Sequence, residues 1–178
     1  MNTVSIYESA YGDTQLVADE LAGVARRHGE VAVVRAEDGA AGVTEGADLV
    51  LVGGPTHLRG LSTHATRQSG RTRPAGAGES SLGPDVPGPG LRDWFRQSGR
   101  VDGLAAAAFD TRLDGPELVT GRASMGISRR LRHHGYHEVA APRSFLVTRE
   151  NRLMSGERQR AHDWGVSLFQ SLLADATR

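Results

Sequence analysis

The chain has 178 residues, is 38% hydrophobic and carries no net charge. That length suits one domain with a substantial core, and zero net charge points to neither nucleic acid nor a membrane surface as partner. The absence of cysteine excludes disulfides, thiol catalysis and Cys-bound zinc or iron–sulfur clusters, and the absence of lysine excludes Schiff-base chemistry and a P-loop.

In chain order, Val4 to Tyr7 is a short apolar run and the first predicted strand. Thr14 to His28 has helical spacing, with Leu16, Val17, Leu21, Val24 and Ala25 on one face and His28-Gly29 as the stop. Val31 to Val34 is a second strand. Asp48 to Val52 is a third, continuously apolar as befits a strand buried on both faces, and Gly53-Gly54-Pro55 ends it. From about 69 to 90 the sequence is dense in Gly, Pro and Ser without apolar periodicity, and reads as a long surface loop within one domain spanning 1–178. Leu91 to Gln97 is a short helix. Leu104 to Phe109 is a fourth strand whose alanines suit a crowded central position. Ser124 to His134 is helical. His137 to Thr148 is a fifth strand interrupted near Pro142, and Glu157 to Ala174 is a final amphipathic helix.

Regular alternation of strand and helix argues for right-handed βαβ units and an open parallel sheet covered on both faces. Such a sheet binds ligands outside the carboxyl ends of its strands, at the topological switch point. Three loops therefore matter. In Ser9-Ala10-Tyr11-Gly12-Asp13-Thr14 two hydroxyls bracket a glycine at a helix start, where backbone N–H groups and partial positive charge suit an anion. Asp13 or Thr14 acting only as a helix cap is the plainer alternative. Pro55-Thr56-His57 follows the third strand as a Gly-Pro turn. Phe109-Asp110-Thr111-Arg112 follows the fourth, with Asp110 and Arg112 either facing a ligand or pairing with each other.

The segment from Ser5 to Leu21 resembles the flavodoxin signature, with Tyr7, Ser9, Gly12, Thr14, Ala18 and Leu21 where that pattern asks. It departs at Ser5, which replaces an apolar residue, and at Tyr11, which replaces a hydroxyl. Gly53-Gly54-Pro55-Thr56-His57 resembles the flavodoxin loop that lies against the isoalloxazine ring. Phe109-Asp110-Thr111-Arg112 resembles a segment of small bacterial flavodoxin-like proteins, and the resemblance continues through Gly121–Ser124 and Ser144–Thr148. It implies a flavodoxin-like three-layer α/β sandwich: a five-stranded parallel sheet of order 2-1-3-4-5 with helices on both faces. It also implies FMN as cofactor, its phosphate held by Ser9, Ala10, Tyr11, Gly12, Asp13 and Thr14. The ring would be held by Pro55, Thr56, His57, Phe109, Asp110, Thr111 and Arg112.

The function this implies is electron transfer or flavin-dependent redox chemistry with an unidentified redox partner protein or small acceptor. The alternatives are a fold that has lost FMN and serves as a binding or scaffold module, and an FMN-dependent quinone-type reductase. No separate catalytic side chain and no metal site is expected. His133, His134 and His137 read as a solvated helix end, and Trp94 and Trp164 as core. Arg59 and Arg112 in the ring loops predict a less reducing flavin than in acidic flavodoxins. No stretch approaches the roughly 20 apolar residues of a membrane span, nor does the N-terminus read as a secretory signal. The expected location is cytoplasmic.

Overall fold

Leu49 to Val52 form the spine of the molecule because a strand with apolar side chains on both faces needs cover on both faces. The computed structural model describes residues 1–57, 60–62 and 89–176. Its elements are β1 (Thr3–Tyr7), α1 (Asp13–Ala25), β2 (Val31–Arg35), β3 (Leu49–His57), β4 (Gly60–Leu61), α2 (Leu91–Gln97), β5 (Ala105–Leu113), α3 (Glu117–Thr120), α4 (Ala123–His133), β6 (His137–Glu138), β7 (Arg143–Val147) and α5 (Glu157–Ala176). Most of the Gly/Pro-rich stretch at 69–90 lies outside the described residues, as does Arg59.

The main sheet runs β2-β1-β3-β5 and then β6 and β7, all parallel. β6 and β7 are two pieces of the predicted fifth strand. Ala105 pairs with His137, but Phe109 pairs with Arg143, so the register steps by two residues around Pro142. The expected order 2-1-3-4-5 is therefore the observed one, with β5 as the fourth predicted strand. β4 is an addition, a short antiparallel return onto the end of β3 with Thr56 opposite Leu61.

Strand alternation divides the core in two. Val4, Ile6, Val50, Val52, Ala106 and Ala108 face α2 and α4, which contribute Leu91, Trp94, Phe95, Ile127 and Leu131. Leu49, Leu51, Ala107, Phe109 and Phe145 face α1 and α5, which contribute Val17, Leu21, Trp164 and Phe169. Each fully buried Leu, Ile or Phe contributes about 1.5–3 kcal/mol on removal from water. Trp94 and Trp164 are thus core residues, as their spacing suggests. Ser5, where the signature has an apolar residue, is also fully buried on the α1 face.

The outer edge of β7 is closed by the chain that follows it. Leu146 donates its N–H to Glu157 Oε2 at 2.9 Å, and its carbonyl accepts from Met154 at 2.9 Å. Glu157 is buried, and Arg160 Nη1 lies 2.5 Å from its Oε1. An edge so occupied offers no ladder to another chain.

Candidate functional site

β1 is the switch point, because the chain goes from it to β2 on one side and returns to β3 on the other. Beyond its end, α1 starts at Asp13 with Gly12 as N-cap, at φ 92° and without a side-chain cap. Only glycine holds that left-handed geometry without strain. Ser9 Oγ accepts the Gly12 N–H at 3.0 Å, which uses a lone pair and leaves its hydrogen to donate. An uncapped helix start of this kind, beside a free hydroxyl hydrogen, has the donor set of a phosphate site.

Thr14 is turned away from that space. Its Oγ1 lies 2.8 Å from Thr111 Oγ1 in a buried pair that ties α1 to β5. Asp13 Oδ1 accepts the Leu153 N–H at 2.7 Å, joining the loop to the segment before α5. Burial raises the Asp13 carboxyl to about 6, against the partial relief of that hydrogen bond. Because the folded value lies above the unfolded one, ionised Asp13 costs stability above about pH 6, and the cost vanishes below about pH 4. Asp13→Asn keeps the acceptor and removes the charge. Discounted for its partial exposure, the expected gain is about 1–2 kcal/mol at pH 8 and nothing at pH 4, read by thermal unfolding at both.

Pro55, Thr56 and His57 are half-buried and close β3. Thr56 Oγ1 accepts the Ala123 N–H at 2.9 Å, so this hydroxyl serves the first turn of α4. Gly53 and Gly54 are required by packing. A Cβ on Gly53 would stand 2.0 Å from the Phe109 ring, and one on Gly54 2.7 Å from Leu91 Cδ1.

Phe109, Asp110, Thr111 and Arg112 form no loop. β5 continues to Leu113 because β7 pairs with it all the way, Phe109 opposite Arg143 and Leu113 opposite Val147. Phe109 lies in the core edge-on to Phe145. Asp110 is fully buried, and its Oδ2 accepts the Ser124 N–H at 2.6 Å in the first turn of α4. Burial pushes its carboxyl up, while the Ser124 and Ser144 groups and Arg122 pull it back. Arg112 does not pair with Asp110. Its Nη1 donates to the carbonyls of Leu113 at 3.2 Å and Gly115 at 2.9 Å and to Thr120 Oγ1 at 3.1 Å, and Glu117 lies 3.7 Å from Nη2. Its charge is met on the turn after β5, which removes the ground for expecting Arg112 to raise a flavin potential.

Sequence reasoning assigned no role to Glu8, which is a tether. Its carboxylate accepts from Ser62 Oγ and, at 2.9 Å, from the Leu91 N–H at the start of α2. Arg92 closes the same stem on the carbonyls of Ser62 at 2.8 Å and Leu61 at 3.0 Å. Also unanticipated is the turn over Asp114–Arg122, which presents Leu118 at 86% and Val119 at 67% exposure beside the carboxyl ends of the strands. No local signal marks either role. Both depend on partners far along the chain or on where β5 stops. Among the described residues no side-chain cluster suits a metal, and no helix is long and apolar enough to cross a membrane.

No family model and no curated protein matches the sequence. Solved structures do match. Flavodoxin 1 from Bacillus cereus superposes with a TM-score of 0.67 at 19% identity, covering 96% of this chain and 98% of that one. A flavodoxin from the domain Archaea gives 0.62 at 16%, covering 94% and 96%. The Flv1 flavodiiron core from Synechocystis sp. PCC6803 gives 0.62 at 17%, covering 98% of this chain but 36% of that larger one. At such identities the likeness speaks for the fold alone, and it agrees with the parallel sheet order: the chain has the flavodoxin-like α/β fold.

Proposed function

We propose that this chain is a single-domain FMN-binding protein acting in electron transfer or flavin-dependent redox chemistry. The observation that carries this reading is the uncapped start of α1, with left-handed Gly12 and the Ser9 hydroxyl, at the switch point of a flavodoxin-like sheet. The residues fit the phosphate end of FMN: Ser9, whose Oγ accepts the Gly12 N–H, donates its hydroxyl hydrogen, and the first residues of α1, Asp13 and Thr14, present backbone N–H groups. Pro55, Thr56 and His57 flank one side of the ring, and the Thr56 hydroxyl, which accepts the Ala123 N–H, keeps its hydrogen to donate. Phe109, Asp110, Thr111 and Arg112 act from beneath, holding α1, α4 and the Asp114–Arg122 turn in position. When bound, the flavin supplies the redox chemistry, and the chain supplies binding, orientation and electrostatics.

Titration with FMN, followed by quenching of flavin fluorescence, tests the reading. Binding is expected, and Gly12→Ala should weaken it about tenfold, since a Cβ at that φ costs about 1–2 kcal/mol. Riboflavin, which lacks the phosphate, should be far less affected by the substitution. Absence of FMN binding would favour a scaffold that has kept the fold without the cofactor. One observation favours that second reading: Glu8, Asp13, Thr56 and Asp110 all spend their side chains on backbone N–H groups of other elements.

A further inference from the structure

The chain as a whole is neutral, with 21 arginine and 21 acidic residues, but the fold does not spread them evenly. Helix α2, LRDWFRQ, carries two arginines, helix α4, ASMGISRRLRH, carries three, and Asp93 is the only acid on either. The end of one helix meets the end of the other, with Phe95 5.5 Å from the His134 ring. Arg92 and Arg130 approach each other across Leu61. Arg92 donates to the Leu61 and Ser62 carbonyls at 3.0 and 2.8 Å. The Leu61 side chain and Arg130 Nη1 converge on Gly126, each 3.6 Å from where a Cβ would stand there. Arg130 Nη1 itself donates to the Gly126 carbonyl at 3.0 Å. Both guanidinium groups are therefore fixed by neutral oxygens, which set their geometry without cancelling their charge. Burial lowers the Arg130 guanidinium from its ordinary value, and the charges of Arg92, Arg129 and Arg96 lower it further. Four cations thus stand within electrostatic reach of one another. Of the acids nearby, Asp93 pairs with Arg96 at 2.9 Å and also accepts the Gly90 N–H, Glu138 pairs with Arg132, and Glu8 is directed to Ser62 and the Leu91 N–H.

Repulsion among these charges works against folding, and while Arg92 ties the Leu61–Ser62 stem to α2, Arg96 and Arg129 are exposed. We propose that the arginine face formed by α2 and α4 is a docking surface for an acidic protein. Such docking does not require the FMN reading to hold. The guanidinium groups are spread over two helices, with Arg92 and Arg96 about 6 Å apart along α2 and Arg129 and Arg130 on α4, so they match several separate carboxylates better than a single phosphate. Arginine suits that task because its planar fork bonds both oxygens of a carboxylate at once. The Trp94 and Phe95 rings of α2 are buried and are not offered to a base or to a lipid interface, which sets an acidic protein ahead of a nucleic acid or a membrane. The first turns of both helices are anchored on the loops of the candidate site, Leu91 on Glu8 and Ala123 on Thr56, so a partner seated here lies beside that site.

The test titrates poly-L-glutamate into the full chain and follows the backbone amide resonances, with duplex DNA and phosphatidylserine vesicles as comparators. Poly-L-glutamate should shift the amides of α2 and α4, and its affinity should fall severalfold as salt rises from about 0.05 to 0.2 M. Arg96→Glu combined with Arg129→Glu should weaken it about tenfold or more, because two attractions become two repulsions. Arg27→Glu combined with Arg149→Glu changes the net charge equally at exposed positions outside the face, and should leave the affinity within about twofold. Retained amide dispersion checks that both double variants fold. Equal weakening by the two double variants would overturn the proposal, since net charge alone would then account for binding, and so would amide shifts that avoid α2 and α4. Tighter binding of DNA or vesicles than of poly-L-glutamate, lost on reversing Arg96 and Arg129, would overturn the protein partner in favour of a polyphosphate or a lipid surface. A dimer abolished by the same reversal would replace that partner with a second copy of this chain. FMN should bind the Arg96→Glu, Arg129→Glu protein as it binds the wild type, so a failure of FMN binding in both would defeat the flavin reading and leave the docking surface standing.

Discussion

Gly53→Ala is expected to destabilise the protein by about 3 kcal/mol or more, enough to lower the denaturation midpoint sharply in a denaturant titration. Gly53 is the register partner of Phe109, and the ring lies over the glycine where a side chain would otherwise project, 2.0 Å from an ideal Cβ. Neither partner can move cheaply. Phe109 is fully buried against Phe145, and Gly53 is held in the ladder between β1 and β5. Overpacking of a well-filled core typically costs about 1–3 kcal/mol, and a clash with backbone fixed on one side and ring on the other belongs at the upper end. Phe109→Leu in the Gly53→Ala background should recover part of the loss although Phe109→Leu alone destabilises. If the two substitutions are merely additive, the ring contact is not the cause.

Asp110→Ala should cost about 2–3 kcal/mol, whereas Asp110→Asn should cost little at neutral pH. The alanine leaves the buried Ser124 N–H without its acceptor and removes one of the two strand side chains that cap α4. Asparagine keeps an acceptor oxygen in that place. The pH dependence separates charge from hydrogen bonding. Burial sets the folded carboxyl above its unfolded value, so the native state binds the proton more tightly than the unfolded chain. Wild-type stability therefore declines as pH rises through the interval between the two values, and Asp110→Asn lacks that decline. Denaturant titrations at a series of pH values from the acid range, below the ordinary carboxylate value, up to neutral should show wild type losing ground to Asp110→Asn as pH rises. Equal damage from Asn and Ala would mean that the negative charge opposite Arg122 is what the fold needs.

Much of the architecture was legible from local pattern. Continuous apolar runs at Leu49–Val52 and Ala105–Phe109, helical spacing from Thr14 onward and the break at Pro142 respond to forces acting within a few residues. Burial on two faces, helix amphipathicity and the missing proline N–H are written into composition and spacing, and they led to an open parallel sheet, while its strand order came from the resemblance of three motifs to flavodoxins. The helix start after Gly12 was legible for the same reason, since a glycine ahead of an amphipathic run is a local signal.

The side-chain partners were not legible, because they join residues far apart in the chain. Nothing near Asp110 indicates that its acceptor role is toward Ser124 rather than a ligand, or that Arg112 turns to Gly115 and Thr120. Thr14 finds Thr111, Asp13 finds Leu153, and Glu8 finds both Ser62 and Leu91 only after the sheet has brought them together. Whether Phe109–Arg112 would be loop or strand was decided by β7, whose pairing carries β5 on to Leu113. The sequence by itself determined the layers, the parallel sheet and the start of α1 after Gly12, since hydrophobic burial and backbone sterics act locally. Tertiary structure alone decided which polar side chains remain for a ligand: a buried N–H must be satisfied, and the nearest acceptor in space takes it first.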